Sequence, residues 1–153
     1  MAKEANAVDE TAYAFSEQVG YLLRRAYQRH LAIFQANSCD SQLTSVQFAT
    51  LCALQDHGPQ SQRALVESTG VDQATIRGIV ERLATRGLIA LSKDGHDARK
   101  VVISLTQAGQ ELLERMIPCA RQITELTLGK LNPAERMALI HTLRQMLDTD
   151  AAD

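Results

Sequence analysis

A mostly α-helical fold with one small β-hairpin is predicted by three features of this 153-residue chain. Apolar residues recur at helical spacing through most of its length. Two short β-branched runs, LIALS and VVISL, face each other across a polar connection. Long amphipathic stretches at both ends enclose one compact α/β segment.

The first helix is expected from about Thr11 to Ala36. Phe15, Val19, Leu22, Leu23, Ala26, Tyr27, Ile33 and Phe34 form its apolar stripe, with Arg24, Arg25, Gln28 and Arg29 mostly outside it. Asn37 to Gln42 is polar and reads as a loop. Thr44 and Gln47 have the spacing of a capping box, which opens a second helix through about Gln55. Asp56-His57-Gly58-Pro59 stops it. Ser61 to Thr69 gives a third helix, ended by Gly70.

Asp72 then stands at an N-cap position, where its carboxylate accepts from free backbone N–H groups. Ile76, Ile79, Val80 and Leu83 form the buried face of the fourth helix. Gln73, Thr75, Arg77 and Gly78 fall largely off that face, and Gly87 after Arg86 is a left-handed stop. LIALS and VVISL flank the connection Lys93 to Lys100, in which Asp94-Gly95 is a turn signal. Helix, turn, helix and polar-tipped hairpin make a winged helix–turn–helix pattern. Thr106 caps a further long helix carrying Ala108, Leu112, Met116, Ala120, Ile123 and Leu126, in which Pro118 is expected to cause a kink. Asn132-Pro133-Ala134-Glu135 starts the last helix, with a cap, a proline at N1 and a glutamate at N3. Met137, Ile140, Leu143 and Leu147 share one of its faces. The organisation predicted is an N-terminal dimerisation helix in 1–42, a winged lobe in 43–106 and C-terminal dimerisation helices in 107–153.

Hydrophobic content of 45% and charged content of 22% are ordinary for a soluble domain. No run approaches the roughly 18–20 apolar residues a bilayer span needs, and MAKEANAVDE lacks a signal-peptide core, so the cytoplasm is the expected location. The three cysteines, Cys39, Cys52 and Cys119, are odd in number and have no CxxC spacing; neither a disulfide framework nor a zinc motif is expected. Cys52 lies in an apolar run and reads as buried, whereas Cys39 follows the first helix in a polar segment and reads as exposed. His30, His57, His96 and His141 are too dispersed for a metal cluster. No nucleophile with a base, phosphate loop or carboxylate pair appears, so neither an enzyme nor a cofactor is expected.

The net charge of -2 divides unevenly. Between Pro59 and Leu105 seven Lys/Arg face five Asp/Glu, a local charge of +2 that leaves -4 elsewhere. The sign marks the winged segment as the part that meets phosphates. An exposed helix beside a basic hairpin tip fits a major groove and the flanking minor groove. The candidate DNA contacts are Ser61 and Gln62 before the turn, Gln73, Ala74, Thr75, Arg77, Gly78 and Arg82 on the second helix of the pair, and Lys93, His96, Asp97, Arg99 and Lys100 on the wing. So weak a charge on one chain favours a dimer, and the long outer helices hold more apolar surface than the lobe can cover.

All six aromatic rings lie in the first 48 residues, as Tyr13, Phe15, Tyr21, Tyr27, Phe34 and Phe48. They are core and dimer-seam filler or the lining of a cavity for a flat ligand. His30 falls on the same stripe, either as a hydrogen-bonded core residue or as a pocket group for an anion. The candidate effector-binding set is Tyr21, Arg24, Tyr27, His30, Phe34 and Phe48.

Taken in order, the chain resembles the MarR family of bacterial transcriptional regulators. The likeness is carried by LTSVQFATLCAL, by Ile76-x-x-x-Val80-x-x-Leu83-x-x-Arg86-Gly87-Leu88-Ile89, by Asp97-x-Arg99, and by Leu105-Thr106-x-x-Gly109. The resemblance implies a homodimer with interlocked outer helices and two lobes on a pseudo-palindromic duplex. It implies a small aromatic carboxylate or phenolic effector between dimer helices and lobe, with Arg99 entering the minor groove and Asp97 holding it. The chain departs from the pattern at Gly78, where many relatives carry arginine, with Arg77 one position earlier; the base preference is therefore open. It also lacks the near-N-terminal cysteine of peroxide-sensing members. A redox switch at Cys39 or Cys119, in place of a ligand, is the alternative signal.

Overall fold

The computed structural model describes residues 12–148. Within them run helices α1 (Val19–Asn37), α2 (Ser45–His57), α3 (Gln62–Thr69) and α4 (Gln73–Thr85), strands β1 (Ile89–Lys93) and β2 (Val101–Leu105), and helices α5 (Gln107–Leu128) and α6 (Pro133–Leu147). The predicted fold class is the observed one: mainly helical, with one antiparallel hairpin after a helix–turn–helix.

Side-chain caps set the helix starts. Thr44 Oγ1 accepts from the Gln47 amide while Gln47 Oε1 accepts from the Thr44 amide, completing the capping box of α2. Ser61, Asp72, Thr106 and Asn132 each accept from the amide three residues on. Caps of this kind contribute about 1 kcal/mol apiece. Gly70 closes α3 at φ 71°, a left-handed conformation that an L side chain would strain.

The first helix starts later than its apolar stripe implies. A short 3-10 turn at Phe15–Glu17 precedes it, and Gln18 is extended at φ -80° and ψ 142°. The Gln18 amide side chain donates back to the Ala14 carbonyl instead of capping α1. A stripe records which side chains share a face; it does not record where backbone bonding breaks. Thr11 lies outside the described residues. The long fifth helix runs on through Pro118 as one span.

The hairpin pairs Ile89 with Leu105, Leu91 with Ile103 and Lys93 with Val101. Gln60 adds a one-residue third strand: its amide donates to the Ile103 carbonyl at 2.9 Å, and the Ile103 amide returns a bond at 2.8 Å. The core lies beneath the hairpin and among α2–α5, with Leu51, Leu65, Ile76, Leu83, Ile103, Met116 and Ile123 nearly or wholly enclosed. Each such side chain stabilises the fold by about 1.5–3 kcal/mol relative to exposure. The outer helices are different: α6 buries no residue, and Met137 and Leu147 remain 75% and 80% exposed. Leu22, Leu23 and Tyr27 on α1 are likewise exposed.

One expectation is overturned. Cys39, in the connection after α1, is joined to Cys119 of α5 in a disulfide with Cα atoms 6.2 Å apart, within the range such a bond spans. The two lie 80 residues apart in sequence, so only the packing of α1 on α5 brings them together. Cys52 stays a free thiol.

The wing returns to the helical body at a close approach. Thr106 donates its hydroxyl to the Gly87 carbonyl at 2.7 Å and its amide to the Leu88 carbonyl at 3.1 Å. Its Oγ1 also accepts from the Gly109 amide at 3.1 Å. A Cβ on Gly109 would collide with the Leu88 carbonyl oxygen and come within 2.8 Å of Leu105 Cδ1. The obstructing atom is backbone and cannot swing away. Gly109→Ala is therefore expected to cost about 1–3 kcal/mol, the range for forced overpacking. Urea denaturation tests it, and a midpoint at the wild-type value would refute the close-approach account.

Candidate functional site: nucleic-acid interface and adjoining cavity

Two exposed features of the lobe carry the predicted DNA contacts. On α4 the buried face is Ile76, Ile79, Val80 and Leu83, which leaves Gln73, Ala74, Thr75, Arg77 and Arg82 outward; Gly78 is half-buried. Asp72 binds both the amide and the hydroxyl of Thr75, at 2.9 and 2.8 Å, and these bonds hold its carboxyl below the usual range. The first turn of the helix is thus fixed with Gln73 and Ala74 facing solvent. Arg77 lies 3.7 Å from Glu81 one turn on, a wholly exposed pair of little energetic weight. Ser61 caps α3, and Gln62 begins it.

The wing tip is built by two aspartates. Asp94 Oδ1 accepts from the amides of His96 and Asp97, at 2.7 and 3.3 Å, and these backbone donors depress its pKa. The Asp94 amide donates to the Lys100 carbonyl at 2.9 Å, closing the loop. Asp97 Oδ1 accepts from the Arg99 amide at 3.0 Å and from Arg99 Nε at 3.2 Å. The Arg99 side chain is nonetheless 92% exposed. Its base is gripped and its end is free, with Lys93, His96 and Lys100 exposed around it.

A cavity of about 440 Å³ lies where α1, α2 and α5 meet the end of α3, within the usual size range of small-molecule sites. His30 and Phe34 of α1, Phe48 of α2 and Ile123 of α5 form part of its lining, while Ser68, Thr69, Asp56 and His57 supply polar groups from the lobe. Rings run along its wall: Tyr27 stacks on His30 at 6.3 Å, His30 meets Phe34 at 6.4 Å, and Phe34 meets Phe48 at 5.8 Å. Tyr27 itself opens onto a second, smaller cavity behind Phe34. Four of the six candidate effector residues are thus adjacent. Tyr21 and Arg24 line neither cavity in the single chain; they contact each other, with the guanidinium 5.9 Å from the ring centre.

The tautomer of His30 follows from its neighbour. Thr127 Oγ1 gives its one proton to the Ile123 carbonyl at 2.8 Å, so at 2.9 Å from His30 Nδ1 it accepts. Neutral His30 therefore carries its proton on Nδ1 and leaves Nε2 as the acceptor. Burial lowers its pKa and favours this neutral form. Cys52 also lines the cavity, with its thiol raised to about 11 by burial and then by the Asp56 charge, and is unreactive at neutral pH.

Sequence reasoning missed the lobe side of this cavity, namely Asp56, His57, Ser68, Thr69 and the α5 residues Ala120, Ile123 and Thr124. Asp56 and His57 sit in what reads locally as a helix stop; that they line the same cavity as His30 and Phe34 follows no sequence period. Among the described residues no group of three His, Cys, Asp or Glu is placed to hold a metal, and no helix is long and apolar enough to cross a membrane.

A capped recognition-type helix beside a wing with an exposed arginine defines a winged helix–turn–helix DNA-binding regulator. Comparison with known proteins agrees. Residues 41–100 match the MarR family profile. The HTH-type transcriptional repressor NicR of Pseudomonas putida is 62% identical over 94% of this chain and 90% of its own length. The structure of BpsR from Bordetella bronchiseptica, whose DNA binding is regulated by 6-hydroxynicotinic acid, superposes with a TM-score of 0.85 at 56% identity, covering 90% of this chain and 99% of that one. The repressor CouR bound to a 23-mer DNA duplex superposes with a TM-score of 0.78 at 26% identity, over 86% and 94% of the two chains. The chain belongs to the MarR family of transcriptional regulators.

Gly78 offers a test of the exposed helix face. A Cβ there would meet nothing nearer than Arg82 Nη1 at 4.0 Å. Gly78→Ala is expected to stabilise the protein by up to about 1 kcal/mol through helix propensity alone. A fall in melting temperature would show that the position is closed by something other than side chains of this chain.

Proposed function

We propose that the protein is a homodimeric repressor whose two winged lobes, residues 43–106, grip a pseudo-palindromic duplex, with residues 1–42 and 107–153 forming the dimer. We further propose that a small aromatic carboxylate or phenol, of the hydroxypyridine carboxylate class, releases it. The observation that carries the effector half is the ring-lined cavity between α1, α5 and the lobe. The 6-hydroxynicotinic acid response of BpsR supports the ligand class. A flat ring fits against Phe34 and Phe48, while a hydroxyl can donate to His30 Nε2 or a carboxylate can pair with it once protonated. The exposed apolar stripes of α1 and α6 support the dimer, since Met137, Ile140 and Leu147 remain exposed among the described residues. The proposed site of action is the cytoplasm, where the chromosome is.

Arg99, gripped by Asp97 and free at its tip, is assigned to the minor groove, where a narrow electronegative channel favours a guanidinium. Arg99→Ala is expected to weaken operator binding by about 1–3 kcal/mol and to lower the salt slope by about 1. Its exposure predicts unchanged thermal stability. Fluorescence anisotropy across a salt series measures both, and wild-type affinity would overturn the wing assignment.

His30 gives the effector site a pH signature. Its pKa lies below 6.5 in the free protein because of burial. A bound carboxylate favours the imidazolium and raises that pKa, so binding takes up a proton. Affinity for 6-hydroxynicotinate should rise as pH falls from the raised value in the complex to the lowered value of the free protein, and be flat above and below. Calorimetry in buffers of different ionisation enthalpy checks this. An unchanged profile in His30→Gln would remove His30 from the site.

A further inference from the structure

The chain crosses between the outer helices and the winged lobe at two places: the connection 38–44 and the middle of α5. Three consecutive residues of the connection are tied. Ser38 Oγ lies 3.6 Å from Met116 Sδ of α5. Cys39 is bonded to Cys119 of α5, and its Sγ stands 3.8 Å from the Arg115 carbonyl, the acceptor a reduced thiol would use. Asp40 Oδ2 accepts from Arg86 Nη2 at 2.7 Å, at the C-terminal end of α4. Pro118 adjoins Cys119 and has no N–H to give the Glu114 carbonyl, so α5 lacks a rung beside the bond.

We infer that Cys39 and Cys119 form a reversible dithiol site, oxidised by hydroperoxides, that clamps both crossings together and limits movement of the lobe against the outer helices. Cys39 is exposed and Cys119 half-buried, so an oxidant has access. Cys52 is excluded by its burial and raised pKa. A regulator that meets chromosomal DNA works in a reducing compartment, where disulfides are transient rather than structural. The chemistry balances. The Cys39 thiolate attacks the O–O bond of ROOH, giving a sulfenic acid and, with the thiol proton, ROH. The Cys119 thiol then displaces the hydroxyl of the sulfenic acid, forming S–S and releasing water. A cellular thiol couple returns two electrons and two protons by exchange. The clamp is separate from the effector cavity and acts without a ligand.

The test uses the full-length protein. After one equivalent of hydrogen peroxide, denaturation and labelling with a maleimide–polyethylene glycol, one free thiol per chain is expected, against three after dithiothreitol. The product should run as a monomer on a non-reducing gel. Cys39→Ser should keep two free thiols after the same treatment, whereas Cys119→Ser, which has no thiol to resolve the oxidised Cys39, should hold Cys39 as a sulfenic acid that dimedone labels and keep one free thiol. Retention of three thiols in the wild type, or a covalent dimer, would overturn the site. Amide exchange of segment 38–44 should slow at least severalfold on oxidation of the wild type and stay unchanged in Cys119→Ser. Equal exchange in both redox states would overturn the clamp. None of these readouts needs an effector, so they stand apart from the fate of the effector assignment.

Discussion

The corner where the wing meets α5 is the constraint on which the placement of the DNA-facing parts depends. Thr106 bonds to two consecutive carbonyls of the turn after α4, and Gly109 lets the first turn of α5 sit against the second of them. One hydroxyl therefore fixes three elements: it ties β2 to the end of α4 and caps α5. If this contact opened by even a methyl group, the wing and α4 would no longer be held at one spacing. A regulator that reads two adjacent grooves, as proposed for this one, would need that spacing more than any one side chain. Close-packed backbone is a stiff way to supply it, because it has no rotamers to change.

Stiffness within the lobe contrasts with its attachment. The chain passes between the lobe and the outer helices only at the connection 38–44 and in the middle of α5, Phe34 packs against Phe48 across the same boundary, and α6 buries nothing of its own. In the proposed division of the chain, the lobe would move on these crossings as a unit. In the proposed mechanism the effector occupies the cavity spanning that joint, with Phe34 and Ile123 on one side and Ser68 and Thr69 on the other. A ligand bridging both sides stabilises one separation of the lobes over others. By linkage, DNA that demands a different separation must weaken the ligand by the same factor that the ligand weakens DNA.

What the sequence revealed divides along the range of the interactions. Four caps were legible because Thr44, Asp72, Thr106 and Asn132 bond only three residues away, whereas Ser61, read as the first residue of α3, proves to be its cap. The wing turn was legible at Asp94 for the same reason, whereas the hold of Asp97 on Arg99 was implied only by the family resemblance. The aromatic run from Tyr27 to Phe48 was half-legible: the α1 stripe placed three rings on one face, but Phe48 joins them only through the packing of α2 on α1. The lobe wall of the cavity, the Gln60 bridge and the Cys39–Cys119 bond were illegible. Each depends on residues far apart in the chain and without a repeat. The late start of α1 was missed for a different reason: its side chains keep helical periodicity across a backbone break at Gln18.

The two proposed signals would meet at this joint without sharing residues. The cavity reaches α5 through Ala120, Ile123 and Thr124, and the disulfide reaches it at Cys119, next to the first of these. Asp40 extends the same connection to Arg86, the residue at the C-terminal end of α4. Burial opposes ionisation of Asp40, but the Arg86 hydrogen bond and charge, with the Gln42 and Leu43 amides, outweigh it and hold the carboxyl below its ordinary range. The pair is therefore intact at neutral pH and is lost only as pH falls through that depressed value. At neutral pH the link from the connection to α4 is therefore in place. In the proposed scheme a bound ring and a closed disulfide would both act where the lobe meets α5, the first by favouring one seating and the second by holding it.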